Sequence, residues 1–103
     1  MKLSDYIALF LSQQGVKTVF AFTGGASAHL IDSIDKNQNI NYICPQHEEH
    51  VAMAADGYSR VTGNIGVCMV TSGPGATNTL TGICSSFFDS IPTLLIAGQV
   101  SSN

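Results

Sequence analysis

An α/β fold, with a parallel sheet of about four strands and helices on both faces, is what this sequence predicts, and three observations predict it. Short apolar runs rich in strand formers alternate with segments whose apolar residues recur at helical spacing. The strand runs are almost continuously apolar, which fits strands covered on both faces. Parallel strands also need crossovers, and the intervening amphipathic helices supply them.

The first helix is expected from about Ser4 to Gln14, because Leu3, Ile7, Phe10 and Leu11 recur at helical spacing, with Ser4 as cap and Gly15 as terminator. Val19-Phe20-Ala21-Phe22 reads as the first strand and stops at Thr23-Gly24-Gly25, a turn into a helix around Ser27 to Ser33. A second strand spans Ile40 to Cys44, Pro45 ends it, and a long helix from about Glu48 to Thr62 is closed by Gly63-Asn64. The third strand, Ile65 to Val70, leads through Thr71-Ser72-Gly73-Pro74-Gly75 into a helix from about Ala76 to Phe87, with Leu80, Ile83, Cys84 and Phe87 on one face. Thr93 to Ala97 is the fourth strand. Open α/β sheets bind ligands beyond the carboxyl ends of their strands. The segments Thr23-Gly24-Gly25, Gln46-His47-Glu48 and Gly73-Pro74-Gly75 are therefore expected to converge on one rim.

With 103 residues the chain has the length of one domain and one modest core. Charged residues make up 11% and apolar residues 45%, against about 25% charged in a typical soluble domain. So few charges cannot cover an isolated globule, and part of the surface is expected to face other protein. The only basic residues are Lys2, Lys17, Lys36 and Arg60, spread too thinly for a nucleic-acid binder. No apolar run approaches the roughly 20 residues that cross a bilayer, and the start lacks a signal-peptide pattern. The expectation is a cytoplasmic chain with no membrane partner. Cys44, Cys68 and Cys84 are odd in number and widely spaced, which predicts buried reduced thiols rather than a disulfide framework or zinc knuckle.

Gly73-Pro74-Gly75-Ala76-Thr77-Asn78 follows a strand and opens a helix, where a phosphate cradle would sit. It fits that role poorly, because Asn78 stands where a dinucleotide fingerprint needs its third glycine and Pro74 removes a backbone N–H. A tight turn and a close approach of backbone to a flat ring remain as uses for these glycines. His47-Glu48-Glu49-His50 invites a metal reading, yet the spacing differs from H-E-x-x-H and no third ligand follows, so no metal site is expected. Acids in a helix's first turn are stabilising in themselves, by about 0.3 to 1 kcal/mol each. His29 reads as a partly exposed residue of the second helix. Gly57, with Ala52, Ala54 and Ala55 on the same helix, points to close packing, either against a second copy or against the chain's own sheet.

His47-Glu48-Glu49-His50-Val51-Ala52-Met53-Ala54-Ala55-Asp56-Gly57-Tyr58-Ser59-Arg60, then Val70-Thr71-Ser72-Gly73-Pro74-Gly75-Ala76-Thr77-Asn78, then Asp89-Ser90-Ile91-Pro92 closely resemble the thiamine-diphosphate enzymes of the acetolactate synthase, pyruvate oxidase and pyruvate decarboxylase family. Val19 to Gly25 and Ala97-Gly98-Gln99-Val100 resemble its flanking landmarks, so the resemblance covers nearly the whole chain. It implies that residues 1–103 are a pyrimidine-binding, N-terminal thiamine-diphosphate-binding domain, incomplete at its C-terminus.

In the resembled family the glutamate after the histidine touches N1′ of the cofactor's aminopyrimidine, and Glu48 holds that position. The thiazolium C2–H is a weak acid, removed by the cofactor's own 4′-imino group, which is basic only while N1′ shares a proton with a carboxyl group. The resemblance thus implies Glu48 as the catalytic residue, Pro74 and Asn78 against the ring, and Gly24 and Gly25 near the reacting carbon of a small 2-keto acid undergoing decarboxylation or carboligation. Thr23 stands where many relatives have proline, and Glu49 and His50 where many have glutamine or alanine followed by a small residue. Mg²⁺ and the diphosphate are expected in a further domain, supplied by a partner subunit, while FAD is left open. By this reading the 103 residues alone are inactive and self-associate. Two other classes compete: a catalytically silent interaction domain, which an intact Glu48 disfavours, and a Rossmann-like nucleotide-binding module, which the absent third glycine and Pro74 disfavour.

Overall fold

The structure, a computed structural model, describes residues 1–102. Strands β1 (Thr18–Ala21), β2 (Asn41–Ile43), β3 (Gly66–Val70) and β4 (Thr93–Ala97) form one all-parallel sheet in the order β2-β1-β3-β4. Val19 pairs with Tyr42 of β2 on one side and Val67 of β3 on the other, and Cys68 pairs with Leu95 of β4. The chain lays β2 beside β1 and then crosses to place β3 on the opposite side. The strand order therefore reverses between β1 and β3, the place where open sheets leave a crevice at their carboxyl ends.

Helices α1 (Leu3–Gln13) and α2 (Ala28–Lys36) cover one face, and α3 (Glu48–Thr62) covers the other. Successive strand side chains point to opposite faces. Val19, Ala21, Val67 and Met69 accordingly pack with Leu11 and Ile34, while Phe20, Cys68 and Val70 pack with Val51 and Ala55. Each fully buried aliphatic side chain of this kind contributes about 1.5 to 3 kcal/mol. Burial also pushes the Cys68 thiol up to about 12, which keeps it protonated. Gly15 and Gly63 adopt positive φ and end α1 and α3 as expected.

The helix predicted from Ala76 is in fact two, α4 (Pro74–Thr77) and α5 (Leu80–Phe88). Thr79 breaks it: its N–H and its hydroxyl both donate to the Ala76 carbonyl, at 3.1 and 2.6 Å, tightening the chain to an i→i−3 turn. The apolar stripe of α5 also faces outward. Leu80 is 56%, Phe87 79% and Phe88 82% exposed, and Gly82 and Ser86 instead face α3. A Cβ added at Gly82 would stand 2.5 Å from that of Ala52, so only glycine permits this helix–helix approach. Gly57, by contrast, has nothing near its missing side chain. The close packing expected at Gly57 occurs at Gly82, and the alanines of α3 are sandwiched between sheet and α5.

Other expectations need correction. Ser4 does not cap α1, whose N-cap is Lys2; its hydroxyl lies 2.9 Å from that of Ser33, which in turn donates to Asp5 at 2.7 Å and ties α1 to α2. The second helix begins with a 3₁₀ turn at Gly25–Ser27 and extends to Lys36. Strand β2 is an exposed edge rather than a buried run. Of the three thiols only Cys68 is buried: Cys44 follows the edge strand, and Cys84 lies on the outward side of α5.

One polar network closes the amino end of the sheet. Asp56, buried on α3, accepts hydrogen bonds from Arg60 Nε at 2.5 Å and from Ser86 Oγ at 2.7 Å, and Arg60 Nη2 donates to Asp89 at 2.6 Å. The Arg60 hydrogen bond, reinforced by Ser86 and opposed by burial, holds the Asp56 carboxyl below the usual carboxylate range. Ser59 Oγ donates to the Pro92 carbonyl, which also accepts from Gly66 N–H. Gly66 itself lies against the Ala55 carbonyl so tightly that any side chain would collide with it. Together these contacts lock α3 to α5 and to the starts of β3 and β4.

Candidate functional site

Glu48 is the first residue of α3 and stands at the carboxyl-end rim. His47 places it there: its extended backbone (φ −155°, ψ 147°) turns the chain into the helix, and its Nδ1 accepts the Glu49 N–H at 3.0 Å as a side-chain cap. The His50 ring lies 5.7 Å from that of His47. Among the described residues no three His, Cys, Asp or Glu side chains gather as a metal-binding group.

The turn after β3 brings the second part. Gly73 takes φ 65° and ψ −126°, a conformation that excludes other residues, and Pro74 follows as the first residue of α4 with its missing N–H at no cost. Gly75 is buried while Pro74 and Asn78 are exposed at either end of this short helix. A Cβ added at Gly75 would stand 2.6 Å from Thr71 Cγ2 and 3.9 Å from Glu48 Oε1. The glutamate carboxylate thus lies on the side of Gly75 toward which a side chain would project.

From β1 comes the third part. Gly24 packs its backbone directly on the Thr71 side chain, where a Cβ would collide with Thr71 Cβ, and Ala26 N–H donates to Thr71 Oγ1 at 3.3 Å. Gly98, beyond β4, lies against Ala26 from the other side. Four of the loops at this rim are therefore contiguous: Gly24 to Thr71, Thr71 to Gly75, Gly75 to Glu48, and Ala26 to Gly98. Of the residues singled out in the sequence, Glu48 and Gly24 belong to this chain of contacts, Pro74 and Asn78 flank it, and Gly25 opens on the far side. There Thr23, Gly24, Gly25, Ala28, Ile31, Asp32, Asp35 and Tyr42 line an open groove of about 520 Å³ that does not include Glu48.

Of the two residues at the centre, Gly75 belongs to the glycine turn that the sequence offers for a tight turn or for close approach to a flat ring, whereas the sequence gives Thr71 no role of its own. The signal that marks it is a β-branched residue ending a buried strand between glycine turns of two neighbouring strands. Glu48 is half-buried, and it takes part in none of the ion pairs among the described residues. A carboxylate screened on one side and outside every ion pair among the described residues fits a flat ring that offers a hydrogen bond. It does not fit a polyphosphate, which like charge would repel.

The family model described as thiamine pyrophosphate enzyme, N-terminal TPP binding domain, matches residues 1–103. The acetolactate synthase large subunit of Buchnera aphidicola subsp. Schizaphis graminum is 45% identical over 100 residues, covering 97% of this chain and 18% of its own length. Chloroplastic acetolactate synthase of Arabidopsis thaliana is 42% identical over 99 residues, 96% of this chain and 15% of that protein. Acetolactate synthase isozyme 3 large subunit of Escherichia coli is 41% identical over 100 residues, 97% of this chain and 17% of its own. The chain spans less than a fifth of the length of these relatives. With its parallel sheet, its rim of glycine turns and a family match from end to end, the chain belongs to the thiamine pyrophosphate (thiamine diphosphate) enzymes, as their N-terminal cofactor-binding domain.

Proposed function

We propose that residues 1–103 bind and activate the aminopyrimidine ring of thiamine diphosphate, as one part of an acetolactate-synthase-like enzyme acting on small 2-keto acids. The observation that carries this reading is Glu48: a half-buried carboxylate outside every ion pair among the described residues, beside Gly75 at the switch point of the sheet. When bound, the cofactor supplies an acidic carbon whose conjugate base adds to the carbonyl of a 2-keto acid.

Glu48 Oε holds a proton shared with the ring nitrogen opposite the amino group. The cap at His47 fixes the backbone from which Glu48 projects, so the carboxylate meets the ring without losing much freedom on binding. Pro74 and Asn78 lie along the ring on this reading, with Gly24 and Gly25 near the reacting carbon of the 2-keto acid. The diphosphate and Mg²⁺ belong, on this reading, to another domain on a partner subunit. Support for association comes from α5, where Leu80, Phe87 and Phe88 all stand exposed on a chain with few charges. In the complete enzyme, Glu48→Gln is expected to lower turnover by about 10²-fold or more, the scale of lost acid–base catalysis. Turnover within a few-fold of the unaltered enzyme would refute the reading.

A further inference from the structure

Thr71 touches both glycine loops of the crevice, through two different atoms. Its methyl Cγ2 lies 2.6 Å from where a Cβ would stand on Gly24 and 2.6 Å from where one would stand on Gly75, so the methyl fills the gap between the two backbones. Its hydroxyl accepts the Ala26 N–H, on the loop that Gly98 backs from the other side. The Glu48 carboxylate is next to Gly75, beyond this methyl. We infer that Thr71 is a positioning residue: its methyl is the spacer that sets the distance between the β1 and β3 glycine loops in front of Glu48, and its hydroxyl fixes the β1 loop.

The two glycines make this testable by exchange of volume. With Cγ2 removed, the nearest Thr71 atom to a Cβ on Gly75 is Cβ at 3.6 Å, an ordinary contact. A Cβ on Gly24 would still collide with Thr71 Cβ itself, whatever becomes of the methyl. Gly75 lies within helix α4 and Gly24 has extended backbone at φ −171°, so alanine is conformationally acceptable at both positions. Thr71→Ser is therefore expected to rescue Gly75→Ala and not Gly24→Ala.

The inference rests on the proposed function for its effect on the cofactor, and its first readout is independent of the cofactor. In the complete, cofactor-free enzyme, hydrogen exchange at the peptide holding Gly75 to Asn78 is expected to accelerate in Gly75→Ala and to return near the original rate in Thr71→Ser/Gly75→Ala. The Thr71→Ser/Gly24→Ala enzyme should show no such return at the Gly24 loop. With thiamine diphosphate and Mg²⁺ added, half-saturation should rise about tenfold in Gly75→Ala, equivalent to about 1.4 kcal/mol, and fall back in the rescued pair. Thr71→Val, which keeps the spacer and removes the acceptor, should speed exchange at Ala26 and raise KM for the 2-keto acid while leaving cofactor half-saturation in place. Equal rescue of both glycine variants, or of neither, would overturn the spacer. Rescue in the cofactor-free protein without any change in half-saturation would leave the spacer standing and remove the cofactor from the crevice, a failure of the proposed function alone.

Discussion

Of the three acids on helix α3, Asp56 and Glu48 are treated in opposite ways. Asp56, in the middle of the helix, is buried and receives hydrogen bonds from Arg60 and Ser86. Glu48, at its start, is only half-buried and belongs to no ion pair among the described residues. The glycines serve the same purpose at both ends: Gly66 and Gly82 let the chain pack closely on Ala55 and Ala52 of α3, and Gly24 and Gly75 let it pack closely on the Thr71 side chain. The amino end is closed by an acid with its partners inside the chain, while at the carboxyl end Glu48 stands without a charged partner among the described residues. Glu49 beside it also belongs to no ion pair, so it is the absence of partners together with the place beside Gly75 that marks Glu48.

The largest effect is expected at Asp56. Asp56→Ala removes the acceptor of Arg60 and Ser86, while Arg60 stays partly exposed and paired with Asp89, and is expected to destabilise the fold by about 2 to 3 kcal/mol, measured by urea denaturation of the complete protein. Because the folded Asp56 carboxyl titrates below its unfolded value, its contribution is present above about pH 4 and is lost as pH falls through the folded value. In Asp56→Asn the acid-induced loss of stability should be correspondingly smaller. An unchanged acid profile would mean that the network adds nothing to the closed end.

A smaller effect is expected at the α3–α5 contact. Gly82→Ala forces its new methyl onto Ala52 and should cost about 2 kcal/mol, whereas Gly57→Ala, with open space around it and helix propensity in its favour, should stabilise by up to about 1 kcal/mol. Thermal melts of the two variants compare them directly. Equal shifts would show that the packing assigned to Gly82 is wrong.

The least disruptive change tests the outward face. Leu80 and Phe87 project from α5 with few contacts to the chain, so Leu80→Ser/Phe87→Ser should alter the fold's stability by no more than about 0.5 kcal/mol while weakening self-association. Sedimentation over a range of concentration reads this. Unaltered association would place the interface elsewhere.

Much of this was legible in the sequence. All four strands and the full span of α3 fall where the apolar runs, Pro45 and Gly63 put them, because those signals are local. The convergence of Gly24, Glu48 and the Gly73-Pro74-Gly75 turn was legible too, since parallel strands bring their carboxyl ends to one rim. Helix α5 was not: helical spacing of Leu80, Ile83, Cys84 and Phe87 identifies an apolar face, but not whether the chain itself covers it. Small Gly82 and Ser86 carry the packing, and no period reveals them. Gly57 and Gly82 also look alike along the chain, and only the neighbour across space separates them. Ser4 had the chemistry of a cap, yet Ser33 on another helix took its hydroxyl.

Whether Glu48, outside every ion pair among the described residues, shares a proton with the cofactor's pyrimidine is read from proton exchange at the cofactor's C2 position. The complete enzyme would be loaded with thiamine diphosphate and Mg²⁺ without substrate, and the exchange of that proton for deuterium followed after rapid mixing. In Glu48→Gln the exchange rate is expected to fall by about 10²-fold or more, with the cofactor still bound. Exchange as fast as in the unaltered enzyme, at full occupancy, would remove Glu48 from the activation of the cofactor and contradict the account.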